Sequence, residues 1–191
     1  MMIDKKNITG IILSGGKSSR MGTDKGFLLF EGKPFIHYSI EALKPFVCNT
    51  IIVSNNKEYD VFGLNRIEDI FENAGPLAGI YSGLKHASTA YNLVLSCDIP
   101  LINSTILQKL INAVDAVSNV IQIQSQGNNM PLIALYKKPC ENQFLKLLNE
   151  GERRLQFAVN QCQVKNVVLS SEEELFTKNI NTPEALKTIM K

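Results

Sequence analysis

The sequence predicts a single-domain α/β fold of the three-layer, Rossmann-like type, in which helices flank a mostly parallel central sheet. Three observations lead to this fold class. Short runs rich in Ile, Val and Leu alternate with longer segments of helical periodicity. The runs have the composition of strands that are buried on both faces. The 191 residues suffice for one domain with a proper core, and we find no internal repeat, low-complexity tract or linker. We therefore treat residues 1–191 as one domain.

The predicted strands are the short apolar runs, and all of them fall within the usual length of a buried strand. The six main runs are residues 8–13, 50–54, 91–96, 120–124, 132–136 and 165–169, and residues 65–67 indicate a further short strand. Between the fourth and fifth runs, residues 124–130 form the most loop-like stretch of the chain.

The predicted helices begin at residues that favour helix starts. Proline is favoured in the first turn, Asn or Ser at the N-cap, and Gly just after the end. The helices run from Pro34 to about residue 43, from Pro76 to about 87, from Asn103 or Ser104 to about 117, from Pro139 to a stop at Gly151, and onward from Thr182 and Pro183.

Charge and hydrophobicity exclude several classes of protein. The formal net charge is only +2, which gives no general attraction to nucleic acid or to a membrane surface. No apolar run approaches the roughly 20 residues of a membrane span, and the polar N-terminus lacks the apolar segment of a signal peptide. Four cysteines occur without a C-x-x-C pair, which predicts reduced thiols. We expect a cytoplasmic protein with no nucleic-acid partner and no membrane partner.

The strongest local pattern lies directly after the first strand, in residues 13–25. Gly15 and Gly16 allow the backbone to turn tightly and to approach a ligand closely. The backbone N–H groups of such a turn converge and favour an anion. Arg20 and Lys25 add two positive charges within the same loop. These features predict a triphosphate-binding loop at the carboxyl edge of the sheet, where open α/β folds bind their ligands.

Two better-known phosphate motifs do not fit this loop. The gap from Gly16 to Gly22 is too long for a Walker A sequence, and the spacing differs from the Gly-x-Gly-x-x-Gly of dinucleotide-binding folds. A P-loop kinase and an NAD-dependent dehydrogenase are therefore disfavoured. The structural alternative is a glycine-rich turn that carries solvated basic residues.

The segment Leu-Ser-Gly-Gly-Lys-Ser-Ser-Arg-Met-Gly-Thr-Asp-Lys-Gly, which begins at Leu13, resembles the signature of nucleoside-triphosphate transferases. Among these it is most similar to the molybdenum cofactor guanylyltransferases. The resemblance implies that Leu13, Ser14 and Gly15 bind the nucleotide, and that Arg20 and Lys25 contact its phosphates as catalytic residues. It extends over nearly the whole chain, from residue 8 to residue 186.

Asp98 follows a predicted buried strand, so its carboxylate is expected in the same crevice as the first loop. Magnesium binds hard oxygen ligands, commonly one or two carboxylates together with phosphates and water. The segment Cys-Asp-Ile-Pro around Asp98 resembles the Cys-Asp-x-Pro motif of the family, which implies a catalytic Mg²⁺ ligand that also binds the nucleotide. The alternative is an Asp that only begins a turn.

Three further residues are predicted to border the nucleotide. Asp69 matches a family Asp implicated in nucleotide binding, with a solvated surface acid as the alternative. Gly75 begins a Gly-Pro-Leu-Ala-Gly segment that resembles a family motif and opens a helix whose free N–H groups favour phosphate or ribose. Where the family has an Asn that helps to read the base, this chain has Ser54, followed by Asn55.

The second half of the chain is expected to bind the acceptor. Arg153 and Arg154 follow a helix stop, and guanidinium groups suit a substrate that carries a phosphate. Asn179 and Asn181 belong to an Asn-x-Asn-Thr-Pro-Glu segment that resembles the C-terminal motif of the family. The alternatives are a solvated pair of arginines and an Asx-type turn.

The resemblance implies transfer of GMP from GTP to the phosphate of molybdenum-bearing molybdopterin, with release of pyrophosphate. The implied partners are GTP, a molybdopterin-type acceptor and other proteins of cofactor assembly. Two alternatives remain open at this point. One is a nucleotidyltransferase with another base or acceptor, such as CTP with molybdopterin or a sugar phosphate. The other is a non-catalytic GTP-binding adaptor.

Overall fold

The computed structural model describes residues 3–15 and 24–180 and confirms the predicted α/β fold. The strands are β1 Ile8–Leu13, β2 Leu29–Phe30, β3 Lys33–Pro34, β4 Asn49–Val53, β5 Asn65–Ile67, β6 Tyr91–Ser96, β7 Val120–Ser125, β8 Asn128–Lys137 and β9 Val164–Val168. The α-helices are α1 Phe35–Leu43, α2 Gly75–His86, α3 Ser104–Asn112, α4 Cys140–Asn149 and α5 Leu155–Asn160. Short 3₁₀ turns span Lys5–Asn7, Lys25–Phe27, Lys57–Phe62 and Glu174–Thr177.

Seven of the strands form one sheet in the order β5-β4-β1-β6-β8-β7-β9. Only β8 runs antiparallel to its neighbours, and every other adjacent pair in this sheet is parallel. The prediction of a mostly parallel sheet is thus confirmed. The pair β2 and β3 forms a separate small hairpin.

Helices cover both faces of the sheet and bury it. Helices α1 and α3 pack on one face, and α2, α4 and α5 pack on the other. Successive residues of β1 show this arrangement, because Ile11 belongs to the core under α2 and Ile12 to the core under α1. Both side chains are fully buried, as the continuous apolar run predicts. No helix in the described ranges is long and apolar enough to cross a membrane.

The register of the sheet brings the ends of four strands to one edge. Leu13, the last residue of β1, pairs with Val53 on one side and with Ser96 on the other. Val53 in turn pairs with Ile67, the last residue of β5. Because these strands are parallel, the segments that follow them all leave the sheet at its carboxyl edge.

Three predicted helix boundaries differ from the structure, and one is the start of α4, where Pro139 is the N-cap and Cys140 the first helical residue. Helix α3 ends at Asn112 rather than near residue 117. The reason lies in Asp115, whose carboxylate accepts hydrogen bonds from the backbone N–H groups of Val117 and Ser118 and so favours a turn. Pro34 precedes α1 as its N-cap instead of lying in its first turn.

The stretch predicted to be most loop-like, residues 124–130, is mostly strand. It is the tip of the β7–β8 hairpin, and Gln126 and Gly127 form a two-residue turn. Both residues have positive φ, 51° for Gln126 and 74° for Gly127, as a tight hairpin turn requires. The prediction was wrong because polar composition outweighed the Gly signal for a turn. The last helix, expected from Thr182, lies outside the described residues.

Helix α2 is held from its C-terminal end by Lys138. The Nζ of Lys138 donates hydrogen bonds of 2.5 Å and 2.6 Å to the carbonyls of Leu84 and Ala87. Both carbonyls belong to buried residues at the end of α2. An ammonium group at this position also interacts favourably with the helix dipole. Since α2 presents its other end to the carboxyl edge of the sheet, Lys138 helps to fix that edge.

Lys138→Met removes these two hydrogen bonds, and the ion pair of Lys138 with Glu141 at 2.8 Å, while it keeps a long aliphatic side chain. We expect a loss of about 1–3 kcal/mol in the free energy of unfolding, because two carbonyls lose a charged partner. Lys146→Met is the matched control, since the only ion pair of Lys146 within the described ranges is an exposed one with Glu150 at 4.0 Å. It should cost below about 0.5 kcal/mol. Urea denaturation measures both. Equal losses in the two variants would contradict this role of Lys138.

Candidate active site

The site lies at the carboxyl edge of the sheet, where β1, β4, β5 and β6 end. The residues that follow these strands are connected by backbone hydrogen bonds. Ser14 N–H donates to Val53 O at 3.0 Å, and Ser54 N–H donates to Ile67 O at 2.9 Å. Ser14 and Ser54, both predicted to bind nucleotide, are thereby fixed at the same edge.

Lys25 and Asp98 meet at this edge, although 73 residues separate them in the chain. The Nζ of Lys25 lies 3.2 Å from Oδ2 of Asp98, and the side chains are 27% and 12% exposed. The other carboxylate oxygen, Oδ1, accepts a hydrogen bond of 2.6 Å from the hydroxyl of Ser96. The arrangement places a cation and an anion in contact at this edge of the sheet.

The thiol next to Asp98 plays no part in this charge pairing. Burial raises the pKa of Cys97 to about 12, with a smaller contribution from the nearby Asp98 carboxylate. Cys97 therefore stays protonated at neutral pH.

Other residues predicted to bind the nucleotide lie where β1, β4 and the first turns of α2 meet. Gly15 has φ +142°, which favours glycine, and a Cβ there would lie 3.7 Å from the hydroxyl of Ser54. At Gly79 of α2, a Cβ would lie 3.2 Å from Leu13 and 3.5 Å from Oδ1 of Asp69. The structure thus brings together residues that the sequence predicted from four separate segments.

Asp69 carries a carboxylate oxygen that lacks a hydrogen-bond partner in the described ranges. Its Oδ1 is buried, and its backbone N–H donates to Oδ1 of Asn55 at 2.9 Å. Burial raises the pKa of the Asp69 carboxyl above its ordinary value. A buried acceptor without a donor is rare in a folded protein, and it is suited to a ligand that carries N–H or O–H groups.

Two of the predicted acceptor residues, Arg153 and Asn179, lie near different parts of this edge of the sheet. Gly75 begins α2, and a Cβ on it would lie 3.9 Å from the backbone carbonyl of Arg153. On the other side, the backbone N–H of Ile180 donates to the carbonyl of Asp98 at 2.8 Å. The exposed Asn179 therefore flanks the strand end that carries Asp98.

The guanidinium groups of the two arginines make local contacts. That of Arg153 donates to the carbonyls of Leu148 and Glu152 at 2.9 Å and 2.8 Å. That of Arg154 donates to the Glu152 carboxylate at 2.7 Å and lies over the ring of Phe157. The bonded Arg154 side chain lowers the pKa of Glu152 to about 2. The backbone of this segment borders the site, while both side chains are held by their own neighbours.

Three predicted site residues, Gly16, Arg20 and Asn181, lie outside the described residues. The described residues that come before and after these gaps are Gly15, Asp24 and Ile180.

A family model for the MobA-like NTP transferase domain matches residues 10–167. The chain belongs to this family of nucleotidyltransferases. A probable molybdenum cofactor guanylyltransferase of Flavobacterium johnsoniae is 34% identical over 184 residues, which cover 96% of this chain and 97% of the relative. The molybdenum cofactor guanylyltransferase of Vibrio vulnificus is also 34% identical, with coverage of 92% and 91%.

Solved structures share the fold of this nucleotidyltransferase. Molybdopterin-guanine dinucleotide biosynthesis protein A of Archaeoglobus fulgidus gives a TM-score of 0.80 at 22% identity and covers 94% of this chain and 95% of its own. A 4-diphosphocytidyl-2C-methyl-D-erythritol synthase of Anaerococcus prevotii gives 0.78 at 15% identity, with coverage of 99% and 96%. These likenesses concern the fold alone.

The residues of this nucleotidyltransferase fit a magnesium ion that is bound together with a substrate. Within the described ranges, no cluster of three or more His, Cys, Asp or Glu side chains is close enough to hold a metal. Asp98 offers a hard carboxylate oxygen that now faces a cation, Lys25. One carboxylate plus phosphate oxygens and water is a common set of magnesium ligands.

Sequence reasoning missed three residues that support the site. Ser96 donates to Asp98, and Asp24 caps the turn that begins with Lys25. The hydroxyl of Tyr59 donates a hydrogen bond to the carboxylate of Asp24. For Ser96 and Asp24 the signal was their proximity in sequence to predicted residues. The sequence carries no such signal for Tyr59, because this residue belongs to the segment after β4 and is distant in the chain from the predicted site residues.

Asp69→Asn should stabilise the protein at pH 7. Because burial raises the pKa of Asp69, the ionised carboxylate destabilises the folded state. Below the pKa of the unfolded chain, about 3.9, both states are protonated and this cost vanishes. The difference in free energy of unfolding between variant and wild type should therefore narrow as the pH falls toward that value. Denaturant titrations at several pH values measure it.

Asp115→Asn is the control of opposite sign. Hydrogen bonds from the Ser118 backbone and from Lys165 hold the pKa of Asp115 well below its ordinary value. Its ionised form stabilises the fold, so this variant should be less stable than wild type at pH 7. That loss should shrink as acid protonates the native carboxylate. A destabilised Asp69→Asn protein at pH 7 would refute the description of Asp69.

Proposed function

We propose that this chain transfers GMP from GTP to the phosphate of molybdenum-bearing molybdopterin, and that pyrophosphate leaves. One observation carries the proposal: Lys25 and Asp98 face each other beside Ser14, Gly15 and Ser54. The names of the relatives from Flavobacterium and Vibrio support guanylyl transfer to the molybdenum cofactor.

The reaction needs charge neutralisation and positioning more than acid–base catalysis. The acceptor phosphate is already an anionic nucleophile, so no side-chain base has to remove a proton. Repulsion between two polyanions is the main barrier, and fixed cations lower it. Lys25, together with Arg20 from the preceding loop, neutralises the phosphates as pyrophosphate leaves. When bound at Asp98, Mg²⁺ supplies further charge for the phosphates.

The nucleoside is held by the N-terminal half of the domain. Leu13, Ser14 and Gly15 lie along the end of β1, and we assign Gly16, the next residue, to the same nucleotide-binding segment. Ser54 borders Gly15, where the base is expected to lie. The unpartnered oxygen of Asp69 accepts a hydrogen bond from the nucleoside. The N-terminus of α2 at Gly75 closes the site.

The acceptor is bound by the C-terminal half of the domain. The backbone carbonyl of Arg153 lies next to Gly75, and Asn179 precedes Ile180, whose backbone N–H donates to the carbonyl of Asp98. We assign Arg154 and Asn181 to the same acceptor site because they adjoin these residues in the chain. In this proposal the acceptor phosphate binds between these two segments. The chain acts in the cytoplasm with other proteins of cofactor assembly.

The test is incubation of the protein with Mg²⁺, GTP and molybdenum cofactor, followed by chromatography of the dinucleotide product. Because Ser54 stands where the family has an Asn, CTP is assayed in parallel. Release of pyrophosphate with GTP and this acceptor supports the proposal. Turnover only with CTP would contradict GTP as the substrate. Turnover only with a sugar phosphate would contradict molybdopterin as the acceptor. GTP binding without turnover would contradict the enzymatic proposal and favour a non-catalytic GTP-binding adaptor.

Asp98→Asn should reduce turnover by on the order of 100-fold or more, because an amide neither binds Mg²⁺ well nor balances the charge of Lys25. The side chain keeps its shape, so circular dichroism should be unchanged. Asp4→Asn is the control, since Asp4 caps the turn before β1, at the opposite edge of the sheet. Its initial rate of pyrophosphate release should match wild type. A wild-type rate for Asp98→Asn would remove Asp98 from catalysis.

Arg153→Ala combined with Arg154→Ala should raise KM for the acceptor by about 10-fold or more, as expected when charged hydrogen bonds to a phosphate are lost. KM for GTP should change less than about twofold, because the nucleotide binds at the other half. Lys6→Ala with Lys44→Ala removes two exposed cations at the opposite edge of the sheet and controls for net charge. Equal changes in both KM values would contradict the assignment.

A further inference from the structure

The turn that carries Lys25 is held in place by a neighbouring segment of the fold. Asp24 caps this turn by accepting a hydrogen bond of 3.1 Å from the backbone N–H of Gly26. The same carboxylate oxygen, Oδ1, accepts a hydrogen bond of 2.5 Å from the hydroxyl of Tyr59. Tyr59 belongs to the 3₁₀ turn Lys57–Phe62, which follows β4. Asp24 is thus bonded both within its own turn and to a separate element.

Tyr59 is rigidly placed for this contact. Its side chain is fully buried, and its ring lies 4.7 Å from that of Phe27 and 6.1 Å from that of Phe62. A Cβ at Gly26 would lie 2.1 Å from the Tyr59 hydroxyl, so the backbone of the Lys25 turn rests directly on the phenol. Burial raises the pKa of Tyr59, which keeps the hydroxyl protonated and able to donate.

A second contact joins Asp24 to the nucleoside side of the site. The Nδ2 group of Asn56 donates to Oδ2 of Asp24 at 3.4 Å, and the Asn56 backbone N–H donates to the hydroxyl of Ser54 at 3.2 Å. Asn56 also caps the turn that contains Tyr59. The segment after β4 therefore contacts both Ser54 and the residue that precedes Lys25.

We propose that Tyr59 is a positioning residue: through its hydrogen bond to Asp24 it holds the turn that places the Lys25 ammonium beside Asp98. Lys25 has a long, flexible side chain, and a loose turn would spread its ammonium over many positions. Positioning of charge is the main source of catalysis in the reaction proposed above, on which the functional part of this inference rests. The phenol does not itself touch substrate.

The test compares Tyr59→Phe with Tyr136→Phe. Both remove one hydroxyl from a fully buried tyrosine, and Tyr136 donates instead to the carbonyl of Pro131 at 2.7 Å. Tyr136 pairs with Asn92 near the start of β6, far from Asp98. The ring contacts of Tyr59 remain in Tyr59→Phe, so both proteins should fold with similar melting temperatures.

The first readout does not depend on activity. Lysines are ¹³C-methylated, and the Lys25 resonance is identified by its absence in Lys25→Arg. Tyr59→Phe should shift or broaden this resonance, because the ammonium moves relative to Asp98, whereas Tyr136→Phe should leave it unchanged. A Lys25 resonance unaffected by Tyr59→Phe would overturn the proposal.

The second readout is turnover. Tyr59→Phe should lower kcat/KM for GTP by about 10-fold, as for the loss of a hydrogen bond to a charged group, and Tyr136→Phe by less than about twofold. In a Lys25→Met background, Tyr59→Phe should have almost no further effect, because residues that act as a unit are not additive. Full additivity would refute action through Lys25. If Tyr59→Phe shifts the Lys25 resonance but keeps wild-type turnover, Tyr59 does position Lys25. That result would instead contradict the proposed role of Lys25 in neutralising the phosphates.

Discussion

The contact between Lys25 and Asp98 is the interaction on which the site depends. It joins the first loop to the end of β6, and it exists only because β1 and β6 are neighbouring parallel strands that end in register. Parallel strands send their following segments to one edge of a sheet. The crossover through α1, β4, β5 and α2 returns the chain to the other side of β1 and so creates a crevice at this edge.

At the same edge, the carboxylates of Asp98 and Asp69 are largely removed from solvent, which does not by itself stabilise the fold. The Asp98 carboxylate is only 12% exposed and is balanced by Lys25 and Ser96. Asp69 keeps a buried oxygen that no described residue bonds, and its raised pKa reflects that burial. Residues that serve ligand binding commonly lower the free energy of unfolding in this way. Asp115 differs, because its carboxylate accepts hydrogen bonds from the backbone N–H groups of Val117 and Ser118.

Much of the fold could be predicted from the sequence, because strands buried on both faces appear as continuous apolar runs. The run at residues 91–96 became β6 with the same bounds. The hairpin tip at Gln126 was not predicted, since its polar residues resemble a loop and outweighed the signal of the following Gly127 for a tight turn. Lys25 and Asp98 were predicted from local motifs next to strands. Tyr59 was not, because its contact with Asp24 spans 35 residues and depends on how two turns pack.

The most direct measurement is a crystal structure of the protein with Mg²⁺ and a GTP analogue that resists cleavage between its α- and β-phosphates. Phosphate oxygens should lie within hydrogen-bond distance of the Lys25 ammonium, with the metal on the Asp98 carboxylate and the nucleoside against Gly15 and Asp69. A nucleotide bound at any other edge or face, with Lys25 and Asp98 still paired only to protein groups, would contradict the assignment of this crevice as the active site.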